Sequence, residues 1–223
     1  MRIATQPNSV LPTLSELWSG MRCPHEETCA CRVGYACPQA KSSSPDSESE
    51  FPMLHLAGCS FRNPSCCCRI LDEIEAVANQ YLEIGNVTAP PVPIDLIRQF
   101  DTDRPIEIRE VPLKACYGAS WFLGDEWVIH LNKNTTPNEN RFTTFHEGFH
   151  IVCQNSGFRL SHSNDLCKPL GERLADHFAA SILMPRSMVI SMWPEVHNIN
   201  EIAMTFRVPR GIASERLKRL VAL

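Results

Sequence analysis

No stretch of this chain approaches the roughly 18 to 20 consecutive apolar residues that a membrane-spanning helix requires, so insertion by a helix is not expected. Arg2 near the start has no apolar run behind it, which leaves a secretory signal without its central segment; a cytoplasmic location is the expectation. An excess of positive charge is also missing. Twenty-one Lys and Arg stand against 25 Asp and Glu, a net charge of −4. The chain as a whole therefore has no electrostatic footprint for a phosphate backbone, and direct nucleic-acid binding is not expected. There are 11 cysteines, yet none are spaced C-x2-C and their intervals fit no zinc template. What is present, 43% hydrophobic residues in 223, suits a soluble chain with one good-sized domain and an appendage.

The appendage is residues 1–68. Eight of the 11 cysteines fall there, at Cys23, Cys29, Cys31, Cys37, Cys59, Cys66, Cys67 and Cys68. Ser42 to Glu50 is an acidic, serine-rich linker that buries no apolar area. The expectation is a disordered Cys-, Ser- and Pro-rich extension. A small metal or redox module using Cys23, His25, Cys29, Cys31 and Cys37 is one alternative. A disulfide cluster is another, better suited to a secreted protein.

Residues 69–223 are orderly. Ile70, Leu71, Ile74, Val77, Ala78, Tyr81 and Leu82 follow the helical period, and Gly85 closes that helix. A proline-rich turn leads to a short helix around Ile94 to Phe100. Strands are expected at Ile106–Val111, Cys116–Leu123 and Glu126–Leu131, with Gly124-Asp125 as a tight hairpin. A small antiparallel sheet there offers an edge on which an extended peptide adds as a strand, or Trp121, Trp127 and Ile129 simply fill the core.

The chemistry is expected between Arg141 and Cys153, which holds His146, Glu147 and His150 in the pattern H-E-x-x-H. On a helix, residues four apart share a face, so both imidazoles reach one ion. A zinc ion held by two imidazoles and one further protein ligand keeps its fourth position for water and lowers that water's pKa to about 7. The adjacent Glu147 carboxylate then takes the proton. Phe142, Phe145, Phe149, Val152 and Cys153 supply an apolar stripe, and Thr136 or Asn138 caps the start. Gly148 dissents, costing a helix interior about 1 kcal/mol relative to Ala; close approach of another segment is its one rationale. An amphipathic helix with two incidental histidines has the same spacing, so the third ligand discriminates. Gly171 to Leu183 reads as a strong helix ending at Pro185, with Glu172 as candidate ligand. Asp176, one turn later on the same face, is placed to accept the outer N–H of a ligand imidazole.

These residues resemble the ImmA/IrrE metallopeptidases. The likeness rests on Arg141-Phe142-Thr143 leading into His146-Glu147-Gly148-Phe149-His150, on Glu172 through Ala180, and on Ile182-Leu183-Met184-Pro185. Pro90 to Leu96 and the tail Ile202-Ala203, Phe206, Val208 and Arg216-Leu217 match as well. The resemblance implies an α+β, zincin-like zinc endopeptidase with His146, His150 and Glu172 as ligands and Glu147 as base. It also implies a protein substrate, a helix-turn-helix repressor of a mobile element or stress response. Asp176 departs from the Asn of many relatives.

His162, in the polar loop 154–168, and Tyr117 are candidates for stabilising the transition state, and His177 is expected to be structural. The tail, residues 199–223, reads as a helix pair, Ile199–Phe206 and Pro209–Leu220. Arg207, Arg210, Arg216, Lys218 and Arg219 against Glu215 give residues 207–223 a charge of +4. That leaves a rival function, a non-catalytic metal-containing regulator that binds a repressor or DNA through this pair.

Overall fold

The computed structural model describes residues 64–155 and 168–221, an α+β arrangement in which a three-stranded sheet packs on helices. α1 (Pro64–Ile84) opens it. Its apolar positions Ile74, Val77, Ala78, Tyr81 and Leu82 are all buried, as the helical period requires. The helix starts ahead of Ile70, so the backbone at Cys66, Cys67 and Cys68, assigned above to the extension, is helical. The remainder of that extension, with its cysteine and linker assignments, lies outside the described residues. At the far end Asn86 takes the left-handed conformation, φ 50°. Gly85 serves a different purpose, because a Cβ there would lie 2.4 Å from Leu96 Cδ1. The glycine admits the next segment, and Asn, which tolerates this region, turns the chain.

A 3-10 turn at Ile94–Gln99 buries Leu96 and Ile97, with Phe100 behind them. β1 (Ile106–Val111), β2 (Gly118–Leu123) and β3 (Glu126–Asn132) follow. Gly124, at φ 71°, leads the two-residue turn joining β2 to β3 in an antiparallel hairpin. The expectation of a wholly antiparallel sheet is corrected at β1, which runs parallel to β3 in the order β1-β3-β2. Each strand reverses the one before it, as short connections demand. β3 nevertheless inserts between the other two, which makes its pairing with β1 parallel. The run Trp127-Val128-Ile129, buried at every position, suits a central strand covered on both faces.

α2 (Pro137–Asn155) carries the motif. Thr136, not Asn138, caps it: its Oγ1 accepts from the Glu139 N–H at 3.2 Å, and Glu139 accepts from the Thr136 N–H at 2.7 Å. This is a reciprocal capping box, with Pro137 at the first helical position. Arg141 donates to the Val92 carbonyl, tying the proline-rich turn to this helix. Gly148 now has its reason, since a Cβ there would lie 2.4 Å from Ile97 Cδ1 and 2.6 Å from Phe100 Cε2. The 3-10 turn lies directly on the helix backbone, fixing its height beneath the sheet.

α3 (Lys168–Leu183) packs against α1 and α2. Phe100, Phe145, Phe149 and Phe178 join them, with ring centroids 5.2 Å apart for Phe149 and Phe178 and 5.5 Å for Phe100 and Phe178. Such pairs each add about 0.5–1.5 kcal/mol beyond area burial. α4 (Arg186–Val196) is a helix that the sequence reading did not anticipate. Pro185, taken there as a stop, also stands immediately before this next helix, and Pro194 inside it masks its period. α5 (Ile199–Phe206) and α6 (Arg210–Val221) form the expected terminal pair. α6, through Arg216, and α4, through Arg186, are locked to α1 by an ion cluster around the buried Glu75. The Glu75 carboxylate accepts from Arg216 Nη2 at 2.8 Å and Nη1 at 3.2 Å, and from Arg186 Nε at 3.1 Å.

Candidate metal centre

α2 turns Phe145 and Phe149 inward and its histidines toward α3. His146 Nε2 lies 3.3 Å from Glu172 Oε2 and 3.4 Å from His150 Nε2, while His150 Nε2 lies 3.7 Å from Glu172 Oε1. A tetrahedral ion with ligands at roughly 2.0–2.2 Å sets those ligands about 3.3–3.6 Å apart. The three donor atoms, all within 4.8 Å of one another, are thus spaced as such an ion requires. Two imidazoles and one carboxylate form a donor set suited to zinc.

The outer nitrogen of His146 is held as well. Its Nδ1 lies 2.8 Å from Asp176 Oδ1, fixing the ring with Nε2 turned to Glu172 and His150. Burial alone would lower the His146 pKa, but hydrogen bonds to Asp176 and Glu172, with the charge of Glu147 beyond, raise it to about 10. Three carboxylates make this corner a seat for positive charge.

Glu147 is 8% exposed and lies one residue from His146 on the side facing β2. There Ser120 Oγ donates to Glu147 Oε2 at 2.9 Å, a contact that the sequence reading missed. Gly118 was missed too. A Cβ on it would meet Thr143 Cγ2 at 2.4 Å and Glu147 Cγ at 3.5 Å, so its hydrogen lets β2 close onto the motif helix. A glycine two residues before a serine at a strand start was the one available signal.

His146, Glu147, Glu172, Asp176 and Gly118 line a pocket of about 400 Å³, which also includes Tyr117, Phe142, Pro209 and Ile212. Tyr117 thus borders the site, whereas His162 lies outside the described residues. His177 faces away, between the Leu71 carbonyl and Arg219, the structural position expected for it. Cys153 is buried and Cys116 exposed.

The family model for the IrrE N-terminal-like domain, Peptidase M78, matches residues 101–218. A similar solved structure is a Mycobacterium tuberculosis transcriptional regulator, at a TM-score of 0.49 and 14% identity, over 66% of this chain and 46% of that one. The chain therefore spans less than half of that regulator's length. No curated protein matches it. Among the described residues, no helix is long and apolar enough to cross a membrane. The family match takes in more than half of the chain and all five residues of the cluster between α2 and α3, and by it the chain belongs to the M78 peptidase family.

Proposed function

We propose that the chain is a zinc-dependent endopeptidase that hydrolyses a peptide bond in a regulatory protein, a helix-turn-helix repressor of a mobile element or stress response, in the cytoplasm. The observation that carries this reading is the convergence of His146 Nε2, His150 Nε2 and the Glu172 carboxylate at ion-binding separations, beside a buried Glu147. His146, His150 and Glu172 would hold the ion, which supplies Lewis acidity toward a water and the scissile carbonyl. Glu147 takes the proton from the attacking water and delivers it to the leaving nitrogen. Ser120 donates to Oε2, which orients the carboxylate and leaves it further acceptor sites for that transfer. The repressor as substrate follows from the resemblance to ImmA/IrrE proteins.

β2 lies at an edge of the described sheet and borders the site through Ser120. Trp121 and Leu123 are about half exposed on it. An extended segment of substrate added along this strand would cross Glu147, with main-chain hydrogen bonds giving affinity and alternate side chains giving specificity.

The rival reading, a regulator acting through a basic tail, loses support from the tail's own contacts. Arg216 is 2% exposed and committed to Glu75. Arg219 turns to His177, Arg210 donates to Asn200, and Lys218 pairs with Glu215, while Arg207 is exposed.

Elemental analysis of the full chain tests the metal assignment. One zinc per chain is expected, retained when Cys23, Cys29, Cys31 and Cys37 become serine and lost in His150→Ala. The reverse pattern would move the metal to the cysteines and sink the proposal. Asp176→Ala should weaken zinc affinity by about 10- to 100-fold without unfolding the domain. Asp176→Asn should cost less, because an amide oxygen still accepts the imidazole N–H. Titration against a competing chelator measures both, and unchanged affinity in the Ala variant would remove Asp176 from the site.

A further inference from the structure

Four carboxylates line the pocket, Glu139, Glu147, Glu172 and Asp176, and their partners divide their work. Glu139 accepts from the Thr136 N–H at 2.7 Å, and Asp176 meets the outer nitrogen of His146 at 2.8 Å. Glu172 faces both imidazole Nε2 atoms and completes the donor group. Glu147 follows His146 directly in sequence, yet it falls outside that group. Its Oε2 accepts instead from Ser120 Oγ at 2.9 Å. Ser120 pairs with Ile129 across the hairpin, and Ile129 is fully buried, so this face of β2 is the one turned to the helices. Gly118, two residues earlier on the same face, removes the Cβ that would meet Thr143 Cγ2 at 2.4 Å and Glu147 Cγ at 3.5 Å. The missing Cβ lets the strand come close enough for the hydroxyl to reach the carboxylate.

We propose that Ser120 is a positioning residue that keeps Glu147 a base by holding it out of the ligand shell of the ion. The inference rests on the metal-centre reading above and concerns a further property of it, which side chains bind and how many. Glu147 is 8% exposed, and a carboxylate so buried is costly without a partner. With the Ser120 hydroxyl removed, the strongest partner left beside it is a divalent cation between His146, His150 and Glu172. A fourth protein donor there closes the position that hydrolysis needs for water, as in structural sites. A carboxylate that shares its charge with the cation is also a weaker base. Ser120 therefore selects, between two uses of one side chain, the one that supports proton transfer.

The full chain, stripped of metal and titrated with zinc against a competing chelator, gives the first readout. The visible absorption of its cobalt(II) form, which responds to the number and kind of ligands, gives the second. Ser120→Ala should bind zinc about 10-fold more tightly, the size of effect that partners of metal ligands produce but opposite in sign to damage of the site. Its cobalt bands should differ from those of the wild type. Neither change should occur when the substitution is made on top of Glu147→Ala, because the donor that would enter is then missing. Ser120→Thr, which keeps a hydroxyl, should match the wild type in both readouts, and circular dichroism follows the fold of each variant. Unchanged or weaker zinc binding in Ser120→Ala, or the same gain with Glu147 absent, would overturn the assignment with the metal centre still standing. Failure of the wild-type chain to bind zinc or cobalt would overturn the metal centre, and this inference with it.

Discussion

Glu147→Gln should cut cleavage of a partner repressor by about 100-fold or more, the usual range for loss of a general base, while zinc content stays at the wild-type level. Glutamine keeps the shape of the side chain and still offers an oxygen to Ser120 Oγ, which donates to Glu147 Oε2 at 2.9 Å. The contact between β2 and α2 therefore survives, and the loss falls on proton transfer. Single-turnover cleavage with enzyme in excess, beside elemental analysis of the same samples, separates chemistry from metal loss. Equal cleavage by both forms would reject the role of Glu147. Derepression of the target gene by both forms without cleavage by either would favour the non-catalytic regulator.

Glu75→Gln should destabilise the domain by about 3–5 kcal/mol, the scale for removing one partner of a buried ion pair. Arg216 is 2% exposed and would keep its charge with its carboxylate gone. Burial pushes the Glu75 pKa up, but hydrogen bonds and charge from Arg216 and Arg186 outweigh it and hold the carboxyl at about 2, against an ordinary 4.5. A depressed carboxylate stabilises the fold fully above its unfolded pKa. That contribution, about 3 kcal/mol at 1.4 kcal/mol per unit, should fade as pH falls from 4.5 toward 2. His177, buried and beside Arg219 with its pKa pushed down to about 3, adds a loss in the same direction that begins near 6.5. The Glu75 share is therefore the difference between wild type and Glu75→Gln in urea melts across this range. Parallel pH curves for the two proteins would show that the cluster carries no such energy.

The site was more legible than its supports. His146, His150, Glu172 and Asp176 follow from spacings of four on two helices, a local signal. The cap at Thr136 is equally local. Gly148 was readable as an anomaly, but its cause, Ile97 and Phe100 against the helix backbone, is about 50 residues away in sequence. Ser120 carried no mark because a serine on a strand looks the same whether it faces water or a carboxylate. The direction of β1 was hidden for a related reason: alternation reports which face is buried, not which strand lies beside it. Arg216 looked like one more cation on a basic helix until Glu75 supplied its partner.

That partnership also orders events during synthesis. Glu75 and Arg216 are 141 residues apart, and at roughly 5–20 residues per second a ribosome needs about 7 to 30 s to make the second after the first. For most of that interval α1 has its acid without either of its bases, since Arg186 follows Glu75 by 111 residues. The motif helix is complete well before Arg216 appears, so His146, Glu147 and His150 exist on the nascent chain before the last helix closes the pocket beside them. A ribosome stalled just short of Arg216 would hold a chain with every proposed ligand made and the lock between α1 and α6 still open.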